Sequence, residues 1–264
     1  MIVDSRISFR KKLRLQGRVI WALTMREVIT RFGREGLGAF WLIAEPAMFI
    51  IGVMTIFSHI DQNPGYSIAE YLSVSYPTML LWRNGTGRVT KALEINKALL
   101  HHQPIRPIDI IYSRILLEFS GSAGAFVILY MIFIQLGICH WPADALDMAL
   151  GYLLVAWFSF AFILIMAALA EFSETVERTS HIILYLMLPV SGVFVPAYAV
   201  PAKFLHALLL FPLIDAVEFF HHGYYGARMQ TYFDIPYTIF ATLFLTLFGY
   251  ALTAIAIRRV HLGQ

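Results

Sequence analysis

Paired histidines and a carboxylate within an apolar stretch are the side chains of this sequence best suited to metal or acid–base chemistry. The histidines are His101-His102 and His221-His222, and the carboxylate is Glu45. Neighbouring residues on a helix point about 100° apart, so adjacent histidines are poorly placed to chelate one ion. Neither pair is accompanied by an HExxH motif, and no GxSxG elbow indicates a serine hydrolase. The sequence predicts no catalytic residue, metal site or bound cofactor.

Binding of ATP is not indicated by the sequence either. The sequence contains no GxxxxGK[ST] loop, whose backbone N–H groups cradle the phosphates of ATP. The chain is therefore not expected to bind ATP by this route. The single cysteine, Cys139, excludes an internal disulfide and a cysteine metal cluster.

Basic side chains are concentrated at the start of the sequence. Residues 4–34 carry nine of them, interleaved with apolar residues near helical spacing. This pattern predicts an amphipathic helix on the anionic cytoplasmic surface of a membrane, with lipid rather than nucleic acid as its partner. A solvated tail is the alternative. The basic residues are Arg6, Arg10, Lys11, Lys12, Arg14, Arg18, Arg26, Arg31 and Arg34.

The composition indicates a membrane protein. The 264 residues are 59% hydrophobic and 14% charged, with a mean hydropathy of +0.68. Soluble domains carry about a quarter charged residues, so a soluble fold could not bury so much apolar surface. We predict a single all-α transmembrane domain of six membrane-spanning helices. The predicted spans are 37–58, 70–85, 115–138, 146–170, 182–200 and 235–257.

Residues 201–230 are predicted to enter the membrane and return. Prolines and glycines break this segment into short pieces, and Asp215 and Glu218 are costly in lipid. A re-entrant helical hairpin between spans five and six therefore fits better than a crossing. With this assignment, all Lys and Arg residues except Lys203 and Arg228 lie on one side, which the positive-inside rule makes the cytoplasm. Both termini are then cytoplasmic.

A short amphipathic helix is predicted over 87–103, in the basic segment between spans two and three. Pro104 and Pro107 would stop it, because proline cannot continue the helical hydrogen-bond ladder. At the start of span three, Arg114 and Glu118 are one turn apart and are expected to pair. The acidic loop at Glu171, Glu174 and Glu177 suits either a contact with a partner or a plain charged turn.

Several motifs resemble the ABC-2 type export permeases, most closely their KpsM-like capsular polysaccharide branch. The similar segments are 26–32 (REVITRF), 37–41 (LGAFW), 45–46 (EP), 96–100 (NKALL), 103–109 (QPIRPID), 212–213 (PL) and 217–218 (VE). The resemblance implies a permease dimer in a bacterial inner membrane with two separate ATPase subunits, which bind ATP and Mg. Lipid-linked capsular polysaccharide would leave the cytoplasm through a canal between the permeases, towards a periplasmic co-polymerase and an outer-membrane channel.

Other interpretations remain open at this point. O-antigen, teichoic acid or another lipid-linked or hydrophobic molecule is an alternative substrate. A membrane enzyme acting on lipid-linked sugars is a different class of function, which would require several ionisable residues to converge within the membrane.

Three groups of site residues follow from this interpretation. Contact with the ATPase is predicted for Val89, Leu93, Asn96, Leu99, Leu100, Pro104, Arg106 and Pro107. The interface and substrate entrance are predicted at Arg26, Arg31, Phe32, Arg34, Trp41 and Glu45. Candidate aromatic residues of the translocation path are Tyr76, Trp82, Phe126, Tyr130, Trp157, Tyr185, Phe194 and Tyr198.

Each group has a simpler explanation beside the functional one, and for the ATPase contacts it is an ordinary solvated loop. Arg31 and Arg34 could attract a substrate phosphate or only anchor the chain to lipid. Glu45 could form an ion pair with an interface-helix arginine or line the entrance. Any one of the aromatic residues could instead face lipid or pack between helices.

Overall fold

The computed structural model describes residues 9–33, 38–57, 66–90, 92, 96 and 105–262. Within these residues the chain is helical and contains no strand, which confirms the all-α prediction for this part of the sequence. The helices are α1 (Phe9–Phe32), α2 (Gly38–Phe57), α3 (Ile68–Val89), α4 (Pro107–Gln135), α5 (Ala145–Phe172), α6 (Glu174–Met187), α7 (Ala202–Leu209), α8 (Pro212–Tyr225) and α9 (Ile235–Leu262). Short 3-10 turns occur at Ala197–Ala199 and Gly226–Arg228.

Three described helices are long and apolar enough to cross a membrane. They are Pro107–Gln135, Ala145–Phe172 and Ile235–Arg259. A fourth candidate is the pair α7 and α8, whose axes bend by 103° at the break between them, as in a broken span or a re-entrant loop. The apolar part of α2, Phe40–Ile56, is shorter. Six spans therefore stay a prediction.

Two ends of the bundle follow from the direction of its helices. α5 and α9 run parallel, because Trp157 contacts Thr246 and the next pair along both helices is Leu164 with Thr253. Their first residues therefore lie at one end, which we call the hairpin end. α1 and the start of α4 lie at the other, which we call the basic end.

α8 packs against the first half of α5 almost without intervening side chains. A Cβ atom at Gly223 would lie 2.1 Å from the backbone nitrogen of Met148, and one at Gly151 would lie 2.5 Å from the Cα of Phe220. The turn before α5 is also hydrogen-bonded to α8, since the Asp144 N–H donates to the Gly223 carbonyl at 2.8 Å. Glycine is required at both positions by this close approach.

The start of α4 lies earlier than the start of predicted span three, at Pro107 rather than at 115. Proline is favoured in the first turn of a helix because its missing N–H would have no helical partner there. The Asp109 carboxylate accepts a hydrogen bond from the Arg106 N–H at 3.1 Å and fixes this start. The helix α4 therefore begins about two turns before the predicted apolar span, and these added turns contain polar residues.

The segment predicted as the fifth span, 182–200, is helical only as far as Met187 in the structure. Pro189 and Pro196 cannot donate to a helical ladder, and Gly192 adopts a φ of +72°, a conformation that favours glycine. The chain continues through turns until α7 begins. An apolar composition alone did not reveal this interruption.

Candidate functional site

Two arginines from different helices meet one carboxylate at the basic end. Glu118 of α4 is 5% exposed, and its Oε1 accepts a hydrogen bond from Arg31 of α1 at 2.6 Å and one from Arg88 of α3 at 3.1 Å. We call Arg31, Arg88 and Glu118 the arginine junction. Charge-assisted hydrogen bonds of this kind are about twice as strong as neutral ones, so the junction ties three helices together.

The spacing along the sequence predicts that Arg114 pairs with Glu118, but in the structure Arg114 has other partners. Its Nη1 donates to the Arg88 carbonyl at 2.8 Å, and its Nη2 lies 3.5 Å from the Glu27 carboxylate. The carbonyl belongs to the last turn of α3, where helical carbonyls lack partners within the helix. An arginine at this helix end therefore satisfies an otherwise unpaired acceptor.

The chain after α3 is also attached to α1. Asn96 is buried, its Oδ1 accepts from Arg26 at 3.1 Å, and its Nδ2 donates to the Ala92 carbonyl at 2.9 Å. Val89 is buried in a cluster that includes Leu23 of α1, so it faces another helix of this chain instead of the outside.

The remaining residues of the predicted ATPase contact are divided between the end of a helix and undescribed positions. Arg106 is exposed, and Pro107 is buried at the start of α4. Leu93, Leu99, Leu100 and Pro104 lie outside the described residues, as does most of the predicted helix 87–103.

A basic cleft of about 250 Å³ opens beside the arginine junction. It lies between α2, α3 and α6 and is lined by Glu45, Arg83, Asn84, Gly87, Arg88, His181, Leu184 and Tyr185. We call it the α3 cleft. Arg88 belongs to both the cleft and the arginine junction, so an anion in the cleft would lie next to the contact that joins α1, α3 and α4.

The charges of the α3 cleft favour an anionic ligand. Two of its lining residues are arginines, against the single carboxylate of Glu45, and Arg83 is the one that does not also bind Glu118. The guanidinium of Arg83 lies 5.5 Å from the ring centre of Tyr185, within cation–π range. Arginine suits phosphate recognition because its planar fork of N–H donors matches two phosphate oxygens.

The predicted entrance residues occupy three different settings. Arg26 and Arg31 bind Asn96 and Glu118, and Arg31 also lies 4.9 Å from the ring centre of half-buried Phe32. Glu45 is exposed and lines the α3 cleft, whereas the structure places no interface-helix arginine on it among the described contacts. Trp41 is exposed on α2, and Arg34 lies outside the described residues.

Four of the eight candidate path residues lie on the side of the molecule formed by α2, α3, α6 and the chain that follows α6, and Tyr76 is buried there. Tyr76 stacks on Phe49 at 4.3 Å, and the Phe49 ring meets Phe194 edge to face at 6.2 Å. The Tyr198 hydroxyl shares a hydrogen bond with the Tyr66 hydroxyl. Tyr185 is 60% exposed in the α3 cleft.

The other four candidates pack inside the bundle. Phe126 stacks on Tyr152 of α5 at 5.4 Å, and the Tyr130 hydroxyl donates to the His140 carbonyl at 2.7 Å. Trp157 donates its ring N–H to Thr246 of α9 at 3.1 Å, and Trp82 is fully buried. The structure therefore does not bring all eight aromatic residues to one surface.

Comparison with known proteins places this architecture in a family. The profile of the ABC-2 type transporter matches residues 18–225, which is most of the chain. The chain belongs to the ABC-2 type transporter family. This match begins within α1, ends with α8 and includes the arginine junction and the α3 cleft.

The names of several similar proteins state which polysaccharide they transport. Over 251 residues the chain is 34% identical to the capsule polysaccharide export inner-membrane protein BexB of Haemophilus influenzae, covering 94% of this chain and 95% of that protein. It is 33% identical over 249 residues to the protein CtrC of the same description from Neisseria meningitidis serogroup B, covering 94% of each. Identity to the polysialic acid transport protein KpsM of Escherichia coli is 25% over 245 residues, covering 92% and 95%.

This ABC-2 chain has a second charged cluster, at the hairpin end, that sequence reasoning missed. Buried Glu70 accepts from the Tyr224 hydroxyl at 2.8 Å and from Arg228 at 3.1 Å, and His140 Nδ1 lies 3.0 Å away. Cys139 is buried beside this cluster, and burial raises the pKa of its thiol to about 12. The cluster fixes the turn between α4 and α5 against the end of α8.

Arg83, Arg88 and His181 of the α3 cleft were also not predicted as site residues. Arg83 lies inside the predicted second span, where an ionisable residue is by itself a sign of function. That sign was available in the sequence. The sequence contained no such sign that Arg88 and His181 line a cleft, because this depends on how α6 packs against α3.

Proposed function

We propose that this chain is the permease subunit of an ATP-driven exporter that moves lipid-linked capsular polysaccharide from the cytoplasm across the bacterial inner membrane. The observation that carries the proposal is the 34% and 33% identity to two capsule polysaccharide export inner-membrane proteins over 94% of the chain. The chain is a transport subunit, and its ATP and Mg are bound by a separate ATPase.

The six-span topology with both termini in the cytoplasm belongs to this proposal. α8 has 14 residues and is therefore about 21 Å long, less than the roughly 30 Å of a hydrocarbon core. Its Phe211 end reaches Phe158 in the middle of α5, and its Gly223 end meets the start of α5. A helix that reaches only the middle of its neighbour supports a re-entrant hairpin over 201–230. The basic end would then face the cytoplasm.

The α3 cleft is the proposed entrance for the substrate's anionic linkage. A lipid-linked polysaccharide must present a charged head to a permease from the cytoplasmic leaflet. Arg83 is free to bind a phosphate, because its described partner is the ring of Tyr185 and not a carboxylate. Glu45, the exposed carboxylate of the same cleft, would limit how tightly an anion is held. Basic residues of α1 would hold the same end of the bundle at the lipid surface.

The arginine junction is the proposed route by which the ATPase acts on this entrance. The ATPase would bind the 87–103 helix through Leu93, Leu99 and Leu100, with Pro104 stiffening its link to α4. Movement of this segment would pull on Asn96 and Arg26, and through them on α1. Because Arg31 and Arg88 share Glu118, α1 and α3 would shift together and alter the cleft.

A second copy of the chain would complete the path. Large apolar side chains of α2 and α6 are exposed, and they lie on the side that holds Tyr185, Phe194 and Tyr198, whereas Tyr76 is buried beneath Phe49. Aromatic rings offer a sugar polymer broad contacts with little directionality. Two such faces would frame the canal of a permease dimer, which would deliver the polymer to a periplasmic co-polymerase and an outer-membrane channel.

Arg83→Gln tests the entrance in a capsulated strain whose own permease gene has been replaced by this one. We expect surface capsule to fall about tenfold or more, with glycolipid accumulating inside the cell, because an amide cannot replace the guanidinium charge. Capsule is measured by surface antibody labelling, and intracellular glycolipid by extraction after surface digestion. Arg258→Gln, at an exposed position on α9, is the matched control.

The same strain tests the function as a whole. If the wild-type gene restores O-antigen or another lipid-linked polymer but no capsule, the proposed cargo is wrong. If the purified chain neither binds the ATPase encoded beside it nor changes its ATP hydrolysis, the exporter assignment itself is wrong. Normal export by Arg83→Gln would reject only the entrance.

A further inference from the structure

A cavity of about 480 Å³ at the hairpin end plays no part in the proposed transport path. It lies between the end of α7, the start of α8 and the first turn of α9. Its polar lining consists of His206, Asp215, Thr231, Tyr232, Asp234 and Tyr237. Its volume is within the range of about 300–1,000 Å³ that is usual for pockets that bind small ligands.

The charge of this cavity is negative. Two carboxylates line it, Asp215 and Asp234, and its lining includes neither lysine nor arginine. Anionic groups, among them an acidic polysaccharide, are therefore repelled from it. A ligand here has to be neutral or cationic.

Asp215 has an oxygen without a hydrogen-bond partner. The residue is 2% exposed, and its Oδ2 accepts from the Asp234 N–H at 3.2 Å and from the Thr238 hydroxyl at 3.3 Å. Its Oδ1 is buried and has no partner among the described residues. A buried carboxylate oxygen is costly unless a donor or a positive charge reaches it. Because Asp215 lines the cavity, a cation bound there would offset the charge of this buried carboxylate.

The surroundings of the cavity are apolar on the side of α7. Leu209 and Leu210 line the cavity, and Leu210 is 70% exposed. Phe204 of the same helix is also exposed, with Lys203 beside it. A short helix with exposed apolar side chains and one lysine is suited to the boundary between lipid chains and headgroups. The negative cavity thus opens next to a surface for acyl chains.

We propose that this cavity binds the primary ammonium group of an aminophospholipid headgroup. The ammonium lies between Asp215 and Asp234, the phosphate lies near Lys203, and the acyl chains follow Phe204 and Leu210. A primary ammonium has three N–H donors for Asp234, and its positive charge is attracted by both carboxylates. A choline headgroup has none, and a glycerol headgroup has no charge to offset those of the two aspartates. The bound lipid holds α7 against the start of α9.

Asp234→Asn is the informative variant because it removes the charge while keeping the local structure. The Oδ1 of Asp234 accepts from the Tyr237 N–H at 3.0 Å in the first turn of α9. Asparagine caps a helix as well as aspartate does, so this contact is retained. Asp147→Asn, at the same end of the bundle but outside the cavity, is the matched control.

The full chain is purified in detergent, mixed with equal amounts of dioleoyl phosphatidylethanolamine and dioleoyl phosphatidylcholine, and examined by native mass spectrometry. We expect the wild type and Asp147→Asn to retain the ethanolamine lipid at least about fivefold better than the choline lipid. Asp234→Asn is expected to lose this preference, with an unchanged circular dichroism spectrum.

Equal retention of both lipids by the wild type would overturn the proposal. A preference that survives in Asp234→Asn would overturn it as well. Soluble ethanolamine separates a lipid site from a site for any small amine. If millimolar ethanolamine raises the melting temperature as much as the ethanolamine lipid does, the acyl chains contribute nothing and the lipid proposal is wrong.

Discussion

Removing the charge of Glu118 is expected to destabilise the basic end of the bundle more than removing either of its arginines. Glu118→Gln keeps the size of the side chain but leaves Arg31 and Arg88 without an anion. Arg31→Gln leaves the contact of Glu118 with Arg88 intact. The single substitutions should therefore differ, and their combination should cost less than their sum.

The magnitude follows from distance and exposure. Breaking a buried ion pair by removing one partner costs about 3–5 kcal/mol. Arg31 and Arg88 are 26% and 38% exposed, so solvent compensates part of this loss. We expect a free-energy cost near 3 kcal/mol for Glu118→Gln, and a coupling energy of about 1.5–3 kcal/mol between Arg31 and Glu118.

The assay is reversible unfolding in mixed micelles of increasing SDS content, followed by far-ultraviolet circular dichroism. The double-mutant cycle combines Arg31→Gln with Glu118→Gln. A second cycle with Arg114→Gln and Glu27→Gln is the control, because that pair is separated by 3.5 Å instead of 2.6 Å and should couple more weakly. A coupling energy for Arg31 and Glu118 no larger than that of the control would refute the reasoning.

Two further substitution and labelling experiments test the hairpin end. Gly223→Ala should lower stability by about 1–3 kcal/mol or prevent folding, because its Cβ would collide with Met148, whereas Gly124→Ala, with open space around it, should be tolerated in the same assay. Alkylation of Cys139 by N-ethylmaleimide should be slow in the folded protein and rise about tenfold per pH unit between 7 and 9, since a thiol with a pKa of about 12 is only about one part in ten thousand thiolate at pH 8. Unfolding in SDS should accelerate it about a thousandfold, and fast labelling before unfolding would contradict the burial.

The long apolar stretches could be predicted from sequence because each one is a local property of the chain. Hydrophobic runs longer than 20 residues correspond to α4, α5 and α9. The predicted bounds differ from the observed ones by at most three residues, except at the start of α4 and the end of α9. The end of α6 at Met187 was less accessible, since the prolines that follow it lie within an equally apolar stretch. Composition does not distinguish a helix from an apolar turn of this kind.

The charged contacts could not be predicted because their partners are distant in sequence. Spacing along one helix favoured Arg114 as the partner of Glu118, but Arg31 lies 87 residues away and reaches it through the packing of α1 on α4. The same limit applies to Glu70, whose partner Arg228 is separated from it by 158 residues. A positive charge within an apolar stretch can mark a site, but only the fold identifies its neighbours.

Contact between α5 and α8 at the level of the backbone limits how this protein can move. Helices separated by a layer of side chains can slide as rotamers exchange, but at Gly223 and Gly151 such a layer is missing. Any sliding would drive main-chain atoms into each other, so the two helices should travel as one rigid body. At the opposite end, long guanidinium side chains can keep hold of Glu118 while their helices tilt. The deformable part of the molecule is thus the part nearest the proposed ATPase.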